Sequence, residues 1–178
     1  MRIVGGKYKG RKLNEFAGAS VRPTSDMVRE SLFNILQFKI QDKTFLDLFC
    51  GTGAVGIEAL SRGAKSVTFN DLKRDSVNLT KSNLQKLGIV DGFKITNADA
   101  LTFYKTCADK FDYVFLDPPY ADGMPSDALE NLATILTDDG VIIYENQTFF
   151  RGQPEGLKIV DERKYGKAHL TFFQKGDN

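Results

Sequence analysis

Two stretches of this chain set glycines, carboxylates and an aromatic ring at spacings that suit chemistry. The first is FLDLFCGTGAVGIEAL, residues 45–60, where an apolar run leads into Gly51, Gly53 and Gly56 and a helical pattern starts at about Ala54. Glycines there permit a tight turn and let a ligand approach the backbone with no Cβ in the way. The helix start behind them offers N–H groups to an anionic or polar ligand. Gly51-x-Gly53-x-x-Gly56 is a weak signal by itself. Asp71 strengthens it, because it ends the run SVTFND 20 residues after Gly51, where an acid can accept both hydroxyls of a ribose. The plainer alternative is a strand-to-helix turn with a solvated Asp71, and the register of loop, helix and acid counts against it. Two cofactors suit the pattern, a dinucleotide or S-adenosylmethionine. Asp47, four residues before Gly51 in a buried run, needs a partner. A cationic amine of a bound amino-acid moiety would serve, and so would the backbone of the loop. No second dinucleotide half accompanies the motif. Asp99, in ITNADAL, can accept from an adenine amino group, cap the helix that follows, or both.

The second stretch is FDYVFLDPPYADG, residues 111–123, where an apolar run ends in Asp117, Pro118, Pro119 and Tyr120. A carboxylate, a rigid turn and an aromatic face are thereby delivered to one strand tip. A surface Pro-Pro turn after a core strand is the plain alternative. Without the glycine loop the two readings are about equal; with both motifs in chain order the catalytic one dominates.

The elements that must position these residues alternate. Apolar strands are expected at 44–49, 66–70, 92–97, 111–117 and 139–145, with helices near 54–62, 73–87, 99–107 and 125–135. Such alternation means a mostly parallel α/β sheet covered by helices on both faces. In such sheets ligands bind beyond the carboxyl ends of the strands, where the strand order reverses, and every motif above falls at such an end. LKIVDERKYGKAHLTFFQK reads as two strands around KYGK, an antiparallel C-terminal hairpin. At the other end, RIVGGKYKGRKL reads as a β-hairpin. RPTSDMVRESLFNILQF then reads as a helix with Pro23 at its start, Thr24 or Ser25 as cap, and Val28, Leu32, Ile35 and Leu36 on one apolar stripe.

The 178 residues, 42% hydrophobic and 26% charged, fit one domain with a real core, divided into an N-terminal hairpin and helix (1–40) and a catalytic core (41–178). Two distant cysteines, Cys50 and Cys107, and one histidine, His169, give no metal spacing and no disulfide framework. With no apolar leader or membrane-length run, a cytoplasmic protein is expected. Cys50 reads as a small buried filler, and His169 receives no role. Net charge is only +1, yet Arg2, Lys7, Lys9, Arg11 and Lys12 all precede the first acid, Glu15. A solvated basic arm and a phosphate-binding arm both remain open.

Asp117-Pro118-Pro119-Tyr120 resembles the signature of S-adenosylmethionine-dependent amino methyltransferases. The residue types match that chemistry. Asp117 and the Pro118 carbonyl can accept the amine hydrogens and stabilise the charge that grows on nitrogen, and Tyr120 offers a stacking face. RIVGGKYKGRKL, VRPTSDMVRESLFNIL, FLDLFCGTGAVGIEALSRGA and FDYVFLDPPY, with KSNLQKLG and KYG…LTFF, follow in order the bacterial 16S rRNA guanine-N2 methyltransferase family, which acts on guanine 966 of the small subunit. The likeness covers nearly the whole chain. It implies a Rossmann-like class I methyltransferase fold, taken as a monomer, with S-adenosylmethionine as cofactor and 16S rRNA of the small ribosomal subunit as partner. It implies no metal and no membrane partner. The cofactor's methionine part falls near Asp47, Gly51 and Gly53, its ribose at Asp71, and its adenine near Asp99 and Ala100. Phe49, Cys50, Thr52, Gly56 and Leu72 complete that set. Catalysis falls on Asp117 to Tyr120. Asp71 stands where the family often has Glu. The basic arm, with Arg22 and Arg29, becomes the RNA-facing surface; a helix-start contact for Arg22 and an exposed helix charge for Arg29 are equal alternatives. A DNA adenine-N6 methyltransferase and a noncatalytic RNA-binding or assembly protein are the competing functions.

Overall fold

The computed structural model describes residues 1–17, 26–119, 124, 126–152 and 154–176. Its centre is a seven-stranded sheet in the order β3-β2-β1-β4-β5-β7-β6. Strands β1 (Thr44–Asp47), β2 (Ser66–Asn70), β3 (Phe93–Thr96), β4 (Phe111–Leu116) and β5 (Leu136–Asn146) run parallel. Strands β6 (Leu157–Tyr165) and β7 (Ala168–Lys175) form the antiparallel hairpin expected at the C-terminus, with β7 against β5. The expected α/β class is therefore what the chain adopts.

Helices α1 (Asp26–Ile35), α2 (Ala54–Ser61) and α3 (Arg74–Leu87) pack on one face, and α4 (Ala100–Thr106) and α5 (Ser126–Ala133) on the other. Period-two alternation sends Phe45 to the first face and Leu46 and Leu48 to the second, all three fully buried. Phe45 sits between the rings of Phe33 and Tyr113, with centroids 6.2 and 6.4 Å away. Truncating such a ring costs about 3–5 kcal/mol in a packed core.

Two boundaries differ from the sequence expectation. β5 begins at Leu136 rather than 139, because buried Leu136 pairs with Phe111 before a register irregularity that passes over the polar Thr137–Asp139. The N-terminal hairpin is also not a ladder. Arg2 and Lys12 form one antiparallel bridge, and the turn between them is a 3-10 turn, Gly6–Tyr8. Gly6 has φ 72°, and a Cβ there would lie 1.9 Å from the Ser61 carbonyl oxygen, so the turn is pressed against the end of α2. The hairpin divides its hydrogen bonds, which sequence alternation cannot reveal: Ile3 N–H goes to Arg11, Gly10 N–H to Ile3 and Leu13 N–H to Met1 across it, whereas Val4 N–H goes to Glu58 and Tyr8 N–H to Ser61 on the neighbouring helix. Ile3 and Leu13 join the same core as Phe33 and Phe45, so residues 1–17 and 26–40 are built into the sheet's first face. On α1 the buried stripe is Val28, Arg29, Leu32 and Phe33, continued by Leu36, while Ile35 is only half-buried. The cap expected at Pro23 to Ser25 lies outside the described residues.

Candidate active site

The strand order reverses between β1 and β4, so the two chain crossovers leave in opposite directions from β1. Asp47, the last residue of β1, stands opposite Phe69 on β2 and Phe115 on β4. Asp71 and Asp117 each follow their strand's partner by two residues, so three carboxylates gather around the tip of β1. Asp47 is buried, and its Oδ2 accepts the Gly56 N–H at 2.9 Å. The backbone of the first turn of α2, just after the loop, is thus the partner it needed. Burial, then the charges of Asp71 and Asp117, push the Asp47 carboxyl from 3.8 up to about 7, against the lowering effect of the Gly56 N–H. The register that sets Asp117 two residues beyond Asp47's partner, Phe115, brings the DPP motif and the glycine loop to neighbouring strand tips. A cation placed there would meet converging negative charge.

The loop is shaped by glycines in two different ways. Gly51 (φ 54°) has open space where a Cβ would be, so a ligand can approach the backbone there. At Gly53 (φ 77°), the N-cap of α2, a Cβ would lie 2.8 Å from Thr80 Cγ2. Gly56 was expected at the cofactor, but its Cα faces β2, where a Cβ would come within 2.3 Å of the Phe69 ring. Its role is to let α2 lie close to the sheet. Asp71, half-exposed, accepts N–H from Gly51 at 2.9 Å and from Lys73 at 2.8 Å. A carboxylate has about four acceptor sites, so capacity for ribose hydroxyls remains.

Three polar residues that the sequence reading passed over hold this loop. Asn70 Nδ2 donates to the carbonyls of Leu48 and Ala98, and its Oδ1 accepts from Thr96, strapping three strand tips together. Thr80 Oγ1 donates to the Gly51 carbonyl, and Asn83 Nδ2 to that of Thr52. Thr80 and Asn83 interrupt the buried face of α3 that Val77, Leu84 and Leu87 define, and polar residues on an apolar stripe were the available signal.

The other expected residues fall as follows. Phe49 is half-buried and Thr52 buried. Cys50 is the buried filler expected, with Sγ 3.5 Å from Thr80 Oγ1, and burial pushes its thiol far up, so it stays protonated. Leu72 is exposed beside Asp71, held by Asn97 Nδ2, which donates to the carbonyls of both. Asp99 is the N-cap of α4, its Oδ1 accepting the Thr102 N–H at 2.9 Å. Those Thr102 hydrogen bonds hold its carboxyl below the ordinary value. Ala100 is half-buried next to it. Asp117 and Pro118 are half-buried and Pro119 exposed, while Tyr120 lies outside the described residues. The open space at Gly51, the acid at Asp71 and the carboxylates at the tip of β1 fit a nucleoside-bearing cation such as S-adenosylmethionine.

Residues 1–174 match the family described as Conserved hypothetical protein 95. The chain belongs to that family. This Conserved hypothetical protein 95 member is 37% identical to YlbH of Bacillus subtilis, over 98% of this chain and 99% of that one. It is 36% identical to the Ribosomal RNA small subunit methyltransferase D of Escherichia coli K12, over 90% of this chain and 79% of the relative. The solved structure of yhhF from Escherichia coli superposes with TM-score 0.86 at 32% identity, covering 98% of this chain and 97% of that one.

On this Conserved hypothetical protein 95 chain the basic residues divide. Arg2, Lys7, Lys9, Arg11 and Lys12 are exposed. Lys7 lies in, and Lys9 directly follows, the turn that leans on the C-terminal end of α2. Arg2 and Lys12 sit at the open end, near Met1, whose Sδ lies 3.9 Å from Thr52 Oγ1 of the glycine loop. Arg29 is corrected: it is neither RNA-facing nor an exposed helix charge but fully buried. It donates to the Arg2 carbonyl and to Asp26, and its Nε lies 3.6 Å from the buried Glu58, which also binds Arg62 at 2.9 Å. Arg22 lies outside the described residues. Among the described residues no helix is long and apolar enough to cross a membrane, and no cluster of metal-ligating residues occurs.

Proposed function

We propose that the chain is an S-adenosylmethionine-dependent methyltransferase acting on the exocyclic N2 amine of a guanine in 16S rRNA of the small ribosomal subunit. The observation that carries this reading is the register of β1 and β4, which sets Asp117 at the strand tip next to that of Asp47 and the glycine loop. The relative named Ribosomal RNA small subunit methyltransferase D supports the polymer and the reaction. When bound, the cofactor supplies an activated sulfonium methyl, so no covalent protein nucleophile is needed.

The chain's own residues do the rest. Asp71 offers its remaining lone pairs to ribose hydroxyls, and Asp99 and Ala100 flank the adenine. The loop from Asp47 to Gly53 receives the amino-acid end. Asp117 and the Pro118 carbonyl accept hydrogens of the target amine, whose lone pair is otherwise delocalised into the base. Those acceptors stabilise the positive charge that develops on nitrogen. The two prolines fix their direction, so no reorganisation is needed at the moment of transfer. A carboxylate suits guanine, which presents N1–H and N2–H donors side by side. The exposed basic arm faces the rRNA and positions it, while the site reads one extruded base.

The test is direct. The protein is incubated with labelled S-adenosylmethionine and small subunits lacking the modification, or with naked nucleic acids, and the digest is searched for methylated nucleosides. N2-methylguanosine in 16S rRNA is expected. N6-methyladenine in DNA would replace this reading, and RNA binding without transfer would make the chain a noncatalytic assembly protein.

A further inference from the structure

Beyond the DPP motif, the same sheet edge carries a polar and aromatic strip to which no role has yet been given. The last paired step of β4 with β5 is Leu116↔Tyr144; two residues further on each strand are Pro118 and Asn146. Asn146 pairs with His169 on β7, and His169 with Lys164 on β6. Paired residues on neighbouring strands project from one face, so Asn146, His169 and Lys164 form a row that leads away from Pro118.

Two observations mark this row as a binding surface. His169 is 93% buried, being 7% exposed, and its Nδ1 has no hydrogen-bond partner among the described residues. A buried polar atom left unsatisfied is unfavourable, and native proteins keep few of them. Over that ring stands Phe149, centroid to centroid 4.3 Å and edge-on. The segment carrying it is pinned by its neighbour: Phe150 packs edge-on against Tyr144 and Phe173 at 6.1 and 5.2 Å. With Phe150 turned inward, Phe149 is held outward and stays 40% exposed. Lys164 and Lys167, on either side of the β6–β7 turn, are both exposed.

We propose that this strip receives the nucleotide next to the target base in a single-stranded stretch of RNA. Phe149 stacks on its base and Lys164 and Lys167 meet the phosphates, while His169, buried against the Phe149 ring, holds that ring in its outward position. An aromatic face beside cations is what a single strand needs, and a strip that continues from Pro118 lies where the nucleotide adjoining the target base can run. The proposal rests on the RNA methyltransferase reading above.

The experiment first records wild-type transfer to small subunits; its absence overturns both readings. With transfer established, Phe149→Ala should raise KM for the subunit on the order of tenfold, the size expected for losing one stacked base, with kcat and cofactor affinity little changed. Phe149→Tyr should restore KM. His169→Leu, which removes the unsatisfied nitrogen and the ring that holds Phe149, should raise KM while leaving the thermal midpoint unchanged or higher; a purely structural histidine would lose stability and leave KM alone. Phe149→p-benzoylphenylalanine, irradiated on subunits, should crosslink to the nucleotide adjoining the methylated guanine. An unchanged KM in Phe149→Ala, or a crosslink confined to distant nucleotides, overturns this surface and leaves the methyltransferase reading standing.

Discussion

Burial and the neighbouring charges of Asp71 and Asp117 hold the Asp47 carboxyl at about 7, against 3.8 for an ordinary aspartate. Between those values the folded protein keeps a proton that the unfolded chain has released. The stability tied to this group is therefore complete below about pH 4 and is lost as pH rises through about 7. The thermal midpoint should fall between about pH 4 and about pH 7, and Asp47→Asn should flatten that fall; an unaltered slope in the variant would refute the assignment. Cofactor affinity should move the other way. A cationic ligand favours the ionised acid, so binding measured by calorimetry should tighten across the same interval in the wild type and not in Asp47→Asn. Asp117 sits in the same field with a different task. Asp117→Ala should cut turnover on the order of a hundred- to a thousandfold, the usual loss of one charge-stabilising group, while cofactor affinity stays nearly intact. Collapse of cofactor binding with turnover preserved at saturation would show that Asp117 holds the donor rather than the acceptor.

At the scale of elements, the glycine loop separates packing from ligand approach. Gly51→Ala puts a methyl group into open space at φ 54°, so stability should fall by about 1 kcal/mol while cofactor affinity drops sharply. Gly56→Ala drives a methyl group into Phe69 and Val67 and should cost about 1–3 kcal/mol of stability by overpacking. Denaturant unfolding beside cofactor titration distinguishes the two, and equal effects in both assays would dissolve the distinction. The strands, the loop and its acids were legible in the sequence because each is a local pattern: an apolar run, a glycine spacing, an acid at a strand tip. Gly56 was legible as a motif position but not as a packing residue, since Phe69 comes 13 residues later and only the fold brings the two together. Thr80 and Asn83 were missed for a related reason, as their partners are loop carbonyls on another element.

Across the whole molecule, the N-terminal arm is where sequence and structure part most clearly. A run of positive charge reads alike whether each cation faces water, RNA or the interior. Arg29 turned inward because Glu58, 29 residues away on α2, is buried beside it, and the pair fastens the arm to the helix that carries the glycine loop. Arg29→Ala leaves Glu58 with Arg62 and the Val4 N–H but empties a fully buried site and takes the donor from Asp26 and the Arg2 carbonyl, so it should cost about 2–5 kcal/mol, read by denaturant unfolding. The exposed cations, by contrast, should act on RNA alone, and unequally. The turn bearing Lys7 and Lys9 rests on the far end of α2, about 12 Å along the helix axis from the glycine loop, whereas Arg2 and Lys12 flank the end beside Thr52. Phosphates drawn toward the site therefore meet Arg2 and Lys12 first. The double variant Arg2→Gln/Lys12→Gln should weaken subunit binding and flatten its logarithmic salt dependence by about 0.7 for each single-strand phosphate left without its cation. Lys7→Gln/Lys9→Gln should change that slope little, and neither pair should alter cofactor affinity. If the turn lysines carried the larger share of the slope, the RNA would have to wrap the arm from its tip, and the approach path argued from the open end would be wrong.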